Sequence, residues 1–296
     1  MVKAGTVGLI GLPNSGKSTF SNVVVGEKFS IVSPKPQTTR NKVLGIRTYK
    51  DNQFIFIDAP GKVKPNTDLN EYLEKEFQLV VDSSDFLLLF LNIDAKRFED
   101  LEELILMASK IKKPVMALIT KKDLKLENRI CRLMNTLEKH EIPYKEISCK
   151  PISFEADLLL EEMSRFLPYS DDFLYDKDMY TTQTMRDMSS EIIREQCFLN
   201  FKQEVPYGLA VDIKKYEEGG ALDKIYAKII VSRENHLPII VGKGGSSIKR
   251  IGEASRKEIE KVADKKVFLD LHVAVRKNWQ KSKIHMKNLG YHNENR

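Results

Sequence analysis

A glycine-rich run near the N-terminus has the residue types and spacing of a phosphate-binding loop. Residues 11–18 are GLPNSGKS, which fits the pattern GxxxxGKS/T, and they lie between an apolar strand-like run and a helix-like segment. Glycines let backbone N–H groups face phosphate oxygens, Lys17 reaches the β and γ oxygens, and Ser18 can ligate Mg²⁺. A chance glycine-rich turn is the alternative, and both flanking elements argue against it. The nucleotide contacts predicted here are Gly11, Asn14, Ser15, Gly16, Lys17, Ser18 and Thr19.

A second phosphate motif, Asp58-Ala59-Pro60-Gly61, closes the apolar run QFIFID. A carboxylate at the end of a strand can hold the Mg²⁺ shell, and the Gly61 N–H can approach a γ-phosphate. DAPG alone is a commonplace turn, so its weight comes from its position after the first loop.

The polar, proline-broken segment between these motifs, SPKPQTTR at residues 33–40, predicts a mobile switch. Thr39, rather than Thr38, is expected to complete the Mg²⁺ shell, and a plain loop with a spare threonine is the alternative. The predicted metal ligands are Ser18, Thr39 and Asp58, and the predicted catalytic residues are Lys17, Thr39 and Gly61.

Two further motifs close later apolar runs and predict the choice of base. Thr120-Lys121-Lys122-Asp123 follows PVMALI, and Ser148-Cys149-Lys150 follows YKEI. They resemble the N/T-K-x-D and SAK elements of small GTP-binding domains, in which the aspartate accepts hydrogen bonds from guanine and the lysine stem packs over the base. A solvated charge run is the alternative for TKKD. The predicted guanine contacts are Thr120, Lys121, Asp123, Ser148, Cys149 and Lys150.

Lys62 follows DAPG directly, where Ras-like proteins carry a glutamine that orients the attacking water. A lysine cannot polarise water in that way. We therefore expect slow unaided hydrolysis that depends on a rearranged switch, a cation or a partner.

A GxxG sequence, Gly242 to Gly245, lies between the apolar run IIV and a basic helix-like segment. This is the arrangement of KH domains, whose glycine loop clamps four backbone nucleotides of single-stranded RNA. GxxG alone is common. Ile239, Ile240 and Ile248 are candidates for the floor under the bases, and core packing is the expected role of at least two of them. The residues predicted to contact RNA in and after the loop are Gly242, Lys243, Gly244, Gly245, Ser246, Lys249 and Arg250.

Residues 276–287 form a basic tail with five positive charges and no acid. Phosphate contacts there would make RNA binding depend on salt. The alternative is a solvated terminal helix with Trp279 docked on the domain, and we expect Trp279 to pack while some cations bind RNA. The predicted tail contacts are Arg276, Lys277, Lys281 and Lys283.

Two unlike patterns position these motifs. Short apolar runs alternate with amphipathic stretches up to about residue 168, which predicts an α/β P-loop NTPase domain of three layers with a mostly parallel sheet. The later order helix, two strands, helix, GxxG, helix, strand predicts an α+β type II KH domain. The expected division is 1–170 for the GTP-binding domain, 171–180 for a linker, and 181–296 for the KH domain with its basic tail.

Composition adds weaker constraints. The 296 residues carry 48 Lys and Arg against 42 Asp and Glu, and this net +6 favours an anionic partner without proving one. Three widely spaced cysteines predict neither a disulfide framework nor a zinc site. The N-terminal residues lack the pattern of a signal peptide, and the apolar runs are too short to span a bilayer. A cytoplasmic location is expected, with no metal other than Mg²⁺.

Taken together, GLPNSGKST, QTTR, DAPG, Val205-Pro206-Tyr207 and IIVGKGGSSIKRIG are similar to the bacterial Era GTPase family over nearly the whole chain. The departures are TKKD for NKxD, SCK for SAK, and Lys62 in place of an apolar residue. The resemblance implies GTP/GDP and Mg²⁺ as cofactors, with GTP binding and hydrolysis controlling the protein's attachment to its RNA.

The implied partners are the single-stranded 3′ end of 16S rRNA and the small ribosomal subunit, whose assembly the protein would serve. A peripheral fraction at the inner membrane is also implied. One competing hypothesis is an RNA-binding or chaperone module with a structural nucleotide. Another is an ATPase of RNA metabolism, against which Asp123 argues.

Overall fold

The computed structural model describes residues 1–35, 38–62 and 68–291. The chain divides into two compact units, one made of residues 1–30, 39–64 and 73–182 and the other of residues 31–38, 65–72 and 183–296. The strands in the described ranges are β1 (Val2–Gly11), β2 (Val43–Tyr49), β3 (Asn52–Asp58), β4 (Phe86–Asn92), β5 (Val115–Thr120), β6 (Tyr144–Ile147), β7 (Tyr169–Ser170), β8 (Leu209–Glu217), β9 (Leu222–Val231) and β10 (Lys266–Val275). The α-helices are α1 (Lys17–Val25), α2 (Asp68–Ser83), α3 (Glu99–Ala108), α4 (Glu127–Lys139), α5 (Ala156–Met163), α6 (Met185–Asn200), α7 (Leu237–Val241), α8 (Ser246–Ala263) and α9 (Lys283–Asn288).

The first unit is built on a sheet with the strand order β2-β3-β1-β4-β5-β6, and β7 pairs with β1 outside this path. The pairs β1–β3, β1–β4, β4–β5 and β5–β6 are parallel, whereas β2–β3 and β1–β7 are antiparallel. All seven residues of β4 are buried, as expected for a central strand covered on both faces. One core packs α1 and α5 on one face of the sheet, and another packs α3 and α4 on the opposite face. The predicted three-layer α/β domain is confirmed.

The parallel strands place the motifs at one edge of this sheet. β1 ends at Gly11, β3 at Asp58, β5 at Thr120, and β6 directly before Ser148. Because neighbouring parallel strands end on the same side, motifs that are distant in sequence meet there.

The segment after β7 is held in place along the hairpin of β2 and β3. Gln53 is fully buried, and its side-chain oxygen accepts from the backbone N–H groups of Leu174 (2.8 Å) and Tyr175 (2.9 Å). Further along, Ile46 N–H donates to the Tyr180 carbonyl at 2.8 Å, and the Thr181 hydroxyl donates to the Leu44 carbonyl at 2.7 Å. The predicted linker is therefore bound to an edge of the sheet.

The second unit contains a three-stranded sheet of order β10-β9-β8, in which β8 and β9 are antiparallel and β9 and β10 are parallel. Helices α6 and α8 cover one face, and their apolar residues share a core with the strands. The Thr184 side chain and Asp187 form a capping box that fixes the start of α6. The order α6-β8-β9-α7-α8-β10 confirms the predicted KH topology. Among the described helices, none has the length and apolar character needed to cross a membrane.

Candidate functional site

The phosphate-binding loop joins β1 to α1 through backbone conformations that favour glycine. Gly16, which precedes α1, has φ 98° and ψ 8° in the left-handed region, and Asn14 has φ 64°. Gly61 of the second phosphate motif approaches this loop so closely that a Cβ atom would lie 2.4 Å from the Pro13 nitrogen. The Lys62 N–H donates to the Gly11 carbonyl at 3.0 Å. The two predicted phosphate motifs therefore lie against each other.

Lys17 is buried inside the loop. Its ammonium donates to the Leu12 carbonyl at 3.1 Å and to the Ser15 hydroxyl at 3.3 Å. Burial lowers the pKa of Lys17 to about 8, although the charge of Asp58 acts in the opposite direction. An anion reaching this loop would stabilise the charged form, which is the role that a phosphate group plays in such loops.

The three predicted metal ligands form one oxygen cluster. The hydroxyls of Ser18 and Thr39 are 3.0 Å apart, and the fully buried Asp58 accepts a short hydrogen bond from the Ser30 hydroxyl. Burial raises the pKa of Asp58, while hydrogen bonds from Ser18, Ser30 and Thr39 oppose this effect. Among the described residues, Asp58 Oδ1 has no hydrogen-bond partner. A buried carboxylate oxygen left unbonded beside two hydroxyls suits Mg²⁺, which prefers oxygen ligands.

The two threonines of the switch segment have different surroundings. Thr39 belongs to the oxygen cluster, whereas the Thr38 hydroxyl donates to the Lys35 carbonyl at 2.7 Å and lies 3.0 Å from the Ser33 hydroxyl. The rest of this predicted switch, residues 36–37, and residues 63–67 after the second phosphate motif lie outside the described residues.

The predicted guanine motifs are linked to each other and to the phosphate loop. The Thr120 hydroxyl donates to the Ser15 carbonyl at 2.8 Å, and the Ser148 hydroxyl donates to Asp123 Oδ1 at 2.6 Å. The Lys150 N–H in turn donates to the Ser148 hydroxyl at 3.2 Å. This chain of contacts fixes the Asp123 carboxylate relative to the phosphate-binding loop, as base recognition requires.

Lys121 is held by Asp94, an acid that belongs to no recognised motif. Its ammonium lies 2.6 Å from Asp94 Oδ2, and the Asn92 amide donates to Asp94 Oδ1 at 2.6 Å. Asp94 follows β4 directly, so the parallel sheet brings it to the end of β5. This pairing orients the lysine stem that is predicted to cover the base.

Lys62 extends away from the phosphate loop. Its ammonium lies 3.7 Å from Met107 Sδ on α3. The expectation that Lys62 does not orient a water molecule for attack stays a prediction.

The GxxG loop of the second unit needs its glycines for two physical reasons. Gly242, Gly244 and Gly245 have φ values of 75°, 58° and 79°, which L side chains adopt only with strain. A Cβ atom on Gly242 would also lie 2.7 Å from the Ser247 Cβ. At Gly244 and Gly245 a Cβ would meet nothing within 4 Å, so there the conformation alone favours glycine.

A shallow groove of about 260 Å³ runs beside this loop between α8 and β10. It combines apolar side chains with charged ones, and its lining residues are Ile248, Lys249, Gly252, Glu253, Arg256, Leu269 and Leu271. Of the three candidate floor residues, Ile248 lines the groove, Ile239 is 48% exposed, and Ile240 is fully buried. The expectation that at least two of them belong to the core is therefore wrong, because the short helix α7 turns only Ile240 inward.

The basic tail is anchored by its tryptophan. Trp279 is fully buried, its indole N–H donates to the Gly208 carbonyl at 2.9 Å, and its ring stacks on Tyr291 with centroids 5.5 Å apart. The expected packing of Trp279 is confirmed. Three of the predicted tail contacts, Lys277, Lys281 and Lys283, are exposed, whereas Arg276 is half-buried.

Comparison with known proteins decides the family. The sequence model described as a 50S ribosome-binding GTPase matches residues 6–121, and the KH domain model matches residues 204–280. A curated GTPase Era from Ruminiclostridium cellulolyticum is 36% identical over 294 residues, covering 98% of this chain and 97% of the relative. The chain belongs to the GTPase Era family.

Solved Era structures have the same overall fold. One is Era in complex with MgGDPNP and nucleotides 1506–1542 of 16S ribosomal RNA, and it matches with a TM-score of 0.91 at 32% identity. An Aquifex aeolicus Era variant bound to GDP and aluminium fluoride gives the same TM-score and identity. Each comparison covers 98% of this chain and 99% of the solved chain.

The departure from the Era pattern at Cys149 has a visible structural consequence. Its thiol is partly buried against the core on the α1 side of the sheet, and burial raises the pKa of Cys149 to about 11. The thiol therefore stays neutral at physiological pH and acts as a slightly larger substitute for the alanine of SAK.

Several residues at these sites were not selected from the sequence, among them Leu269 and Leu271 of the groove. Ser30 and Asp94 lie in segments without a motif, and only the tertiary structure brings them to Asp58 and Lys121. Glu253 and Arg256 line the groove one and two helical turns after Ile248 and Lys249. Their spacing on a helix that follows GxxG was the one available signal, and it could have identified them.

Proposed function

We propose that this chain is a GTP-hydrolysing switch that binds the 3′ end of 16S rRNA and acts in assembly of the small ribosomal subunit. The proposal that the chain binds and hydrolyses GTP rests on the oxygen cluster of Ser18, Thr39 and Asp58 beside the buried Lys17. Membership of the Era family, one of whose solved members holds that RNA segment, supports the RNA half.

In this proposal Ser18, Thr39 and Asp58 would hold Mg²⁺, which when bound would supply positive charge beside the β- and γ-phosphates. Lys17 and the backbone N–H groups of the loop bind the phosphate oxygens. The Gly61 N–H binds the γ-phosphate and so reports whether GTP or GDP is present. Lys17, Thr39 and Gly61 are the catalytic residues because each would contact the reacting phosphate or its metal.

Guanine would be recognised by the Asp123 carboxylate, which accepts hydrogen bonds from the ring N–H and the amino group of the base. Adenine offers no matching pair of donors at that edge. The Ser148 hydroxyl positions this carboxylate through its hydrogen bond at 2.6 Å. The Thr120 hydroxyl, which bonds the Ser15 carbonyl at 2.8 Å, holds the start of the same motif against the phosphate-binding loop. Lys121 packs over the base while Asp94 holds its ammonium.

RNA would enter the groove beside GxxG, with phosphates approaching the glycine backbone and Lys243. Ile248, Leu269 and Leu271 offer apolar contact to bases, and Lys249, Arg250 and the exposed tail lysines offer charge. The proposed sites also include Ser246 and Arg276. We also propose, from family membership alone, that the protein acts on the small subunit in the cytoplasm and that a fraction of it binds peripherally to the inner membrane.

Nucleotide binding is tested with a fluorescent GTP analogue and Mg²⁺, followed by competition with excess unlabelled ATP. We expect tight Mg²⁺-dependent binding that GTP, but not ATP, displaces. Effective displacement by ATP would overturn the guanine assignment. Loss of binding without Mg²⁺ and in Asp58→Asn would support the metal cluster, with Asp51→Asn, an exposed aspartate in the turn between β2 and β3, as the matched control.

The RNA half is tested by crosslinking the protein in cells and sequencing the attached RNA. We expect reads concentrated at the 3′ end of 16S rRNA. Lys17→Ala should abolish nucleotide binding and change RNA release. If RNA affinity and cell growth stay normal in that variant, the nucleotide is structural and the switch proposal fails.

A further inference from the structure

Helices α6 and α8 cover one face of the sheet of the second unit. On the opposite face the described residues Lys224, Lys228, Phe268 and His272 are exposed, whereas Ala210 and Ile230 are buried. Inward-facing residues of its strands, such as Ile225, Ala227 and Ile229, are buried in the core with α6 and α8. The alternate residues of β9 and β10 point the other way and are mostly exposed. We call this surface the open sheet face and define it by Lys215, Lys224, Tyr226, Lys228, Phe268 and His272.

Two aromatic side chains lie at the centre of the open sheet face. Phe268 is 48% exposed, and its ring centroid is 6.0 Å from that of Tyr226, with a 60° angle between the planes. Register places Lys224 beside Phe268, and it places Asp270 beside Tyr226. Phe268 and the partly exposed Tyr226 together form an aromatic patch, which is more informative than a single exposed apolar residue.

Lysines surround this aromatic pair. Lys224 and Lys228 lie two residues before and two residues after Tyr226 on β9, and Lys215 lies opposite Tyr226 on β8. The acids nearby have other partners: Glu217 lies against Lys215, Asp212 against Lys214, and Asp270 against His272, which is charged only when it is protonated. Lys224 and Lys228 form no ion pair with any residue in the described ranges. The open sheet face therefore presents two aromatic rings flanked by two lysines that form no close ion pair with a described residue, although the charge of Lys224 also acts on Glu217.

We propose that the open sheet face is a second contact surface for single-stranded RNA, which rests on the RNA binding proposed above. Bases stack on Phe268 and Tyr226, and Lys224 and Lys228 bind the flanking phosphates. Exposed aromatic residues on a sheet are a general means of binding unpaired bases, and the stacking tolerates different sequences. A protein partner fits less well, because the cores of protein interfaces are depleted in lysine.

The groove and the open sheet face share one edge strand. Leu269 and Leu271 of β10 line the groove, while Phe268 on the same strand faces the opposite way. β10 ends the sheet order β10-β9-β8, so within the described part of the chain no further strand pairs with its outer edge. An RNA strand that leaves the groove can pass this edge and reach Phe268, so the second surface extends the first.

The test uses the full chain and two labelled single-stranded RNAs from the 3′ end of 16S rRNA. One has about four nucleotides, the length that a KH groove clamps, and the other has about twelve, within the range of extended single-strand sites. We expect the double variant Tyr226→Leu, Phe268→Leu to lose roughly tenfold in affinity for the longer RNA and to bind the shorter one normally. Tyr169→Leu, which changes a 72% exposed tyrosine of the first unit, is the matched control.

Two further measurements separate stacking from loss of fold. The double variant Tyr226→Leu, Phe268→Tyr keeps one aromatic ring and should bind the longer RNA more tightly than Tyr226→Leu, Phe268→Leu. Lys224→Ala with Lys228→Ala should lower the slope of log K against log salt by about 0.7 per lysine for the longer RNA. Ultraviolet crosslinking of the unmodified chain should attach the longer RNA to the peptide that contains Phe268.

The outcomes distinguish this inference from the proposed function. If the wild-type chain binds both RNAs but the leucine variant binds the longer one equally well, or no crosslink maps to β10, the open sheet face does not bind RNA. If a protein is crosslinked there instead, the surface is a protein-docking site and the inference is wrong. If the wild-type chain binds neither RNA, the proposed function itself fails.

Discussion

At the scale of single residues, the nucleotide site contains two buried charges that the protein neutralises only in part. Burial lowers the pKa of Lys17 to about 8 and raises the pKa of Asp58. Both shifts move the group toward its neutral form, because a buried charge loses hydration that its neighbours do not fully replace. A phosphate would stabilise the Lys17 ammonium and Mg²⁺ would stabilise the Asp58 carboxylate, so the electrostatics of the site match the proposed ligand.

The lowered pKa of Lys17 predicts how stability depends on pH without nucleotide. Between pH 8 and 10.5 the folded state holds fewer protons at Lys17 than the unfolded state, so the free energy of unfolding rises with pH. Relative to Lys17→Met, the wild-type chain should gain up to about 3 kcal/mol across this window. Urea unfolding of both chains at pH 7 and pH 10.5 measures the difference in the free energy of unfolding. The contributions of the other lysines cancel because both chains contain them. A pH-independent difference would contradict the buried charge.

Asp123 supports a prediction about base choice. Asp123→Asn should weaken GTP binding roughly ten- to hundredfold, because hydrogen bonds to a charged group contribute about 1.5–3 kcal/mol. Lys122→Ala is the control within the same motif, since Lys122 forms only a surface ion pair with Glu146 at 3.0 Å. The ratio of the affinities for GTP and ATP, measured by calorimetry, should be smaller for Asp123→Asn than for the wild-type chain. An equal loss for both nucleotides would assign Asp123 to phosphate binding or folding.

At the scale of elements, the segment after β7 shows what sequence patterns miss. Residues 171–180 lack periodicity and predict a linker, yet one buried side chain, Gln53, binds the backbone of residues 174 and 175. A single glutamine in the apolar strand QFIFID gives no sign of its partner about 120 positions later. The strand itself was predictable from its apolar run, but the contact was not.

The same contrast explains which parts of the nucleotide site could be predicted. The loop at Lys17, the Asp58 motif and the TKKD motif combine a local pattern with a preceding strand, and parallel strands bring such motifs to one edge. Ser30 and Asp94 belong to the same clusters through tertiary packing alone. The floor of the RNA groove was partly mispredicted, because IIV reads as a uniformly apolar run although the short helix α7 buries only Ile240.

Gln53 also provides a prediction about stability. Gln53→Leu keeps the side-chain size but leaves the backbone N–H groups of Leu174 and Tyr175 without their acceptor. A hydrogen bond contributes about 0.5–1.5 kcal/mol net, so the loss of these two should lower the free energy of unfolding by about 1–3 kcal/mol. Urea unfolding measures this loss, and limited proteolysis should show new cleavage within residues 171–180. The control Gln78→Leu changes an exposed residue and should alter the free energy of unfolding by less than about 0.5 kcal/mol. If residues 171–180 of Gln53→Leu resist proteolysis, other contacts hold them in place.

At the scale of the whole molecule, the switch segment has contacts in the unit that carries the KH domain. Residues 31–38 belong to this second unit. The Val32 N–H donates to Glu195 on α6 at 2.8 Å, and the Lys35 ammonium donates to the carbonyls of Phe198 and Phe201 at the end of that helix. A cation at a helix C-terminus satisfies carbonyls that lack helical partners. Thr39, which also belongs to the switch segment of residues 33–40, lies in the oxygen cluster proposed for Mg²⁺.

Because Lys35 contacts α6 and Thr39 of the same segment lies in the oxygen cluster, we predict that GTP and RNA affect each other's binding through Lys35. Coupling must be reciprocal, so RNA should change GTP affinity by the same factor, about 5- to 150-fold, by which GTP changes RNA affinity. Lys35→Met should bring both factors toward one while each ligand alone still binds, because the phosphate loop and the RNA groove keep their residues. Titrations of each ligand with and without the other measure both factors. Lys139→Met, at the end of α4, is the control and should retain full coupling. Equal affinities with and without the second ligand in the wild-type chain would show that nucleotide and RNA bind independently.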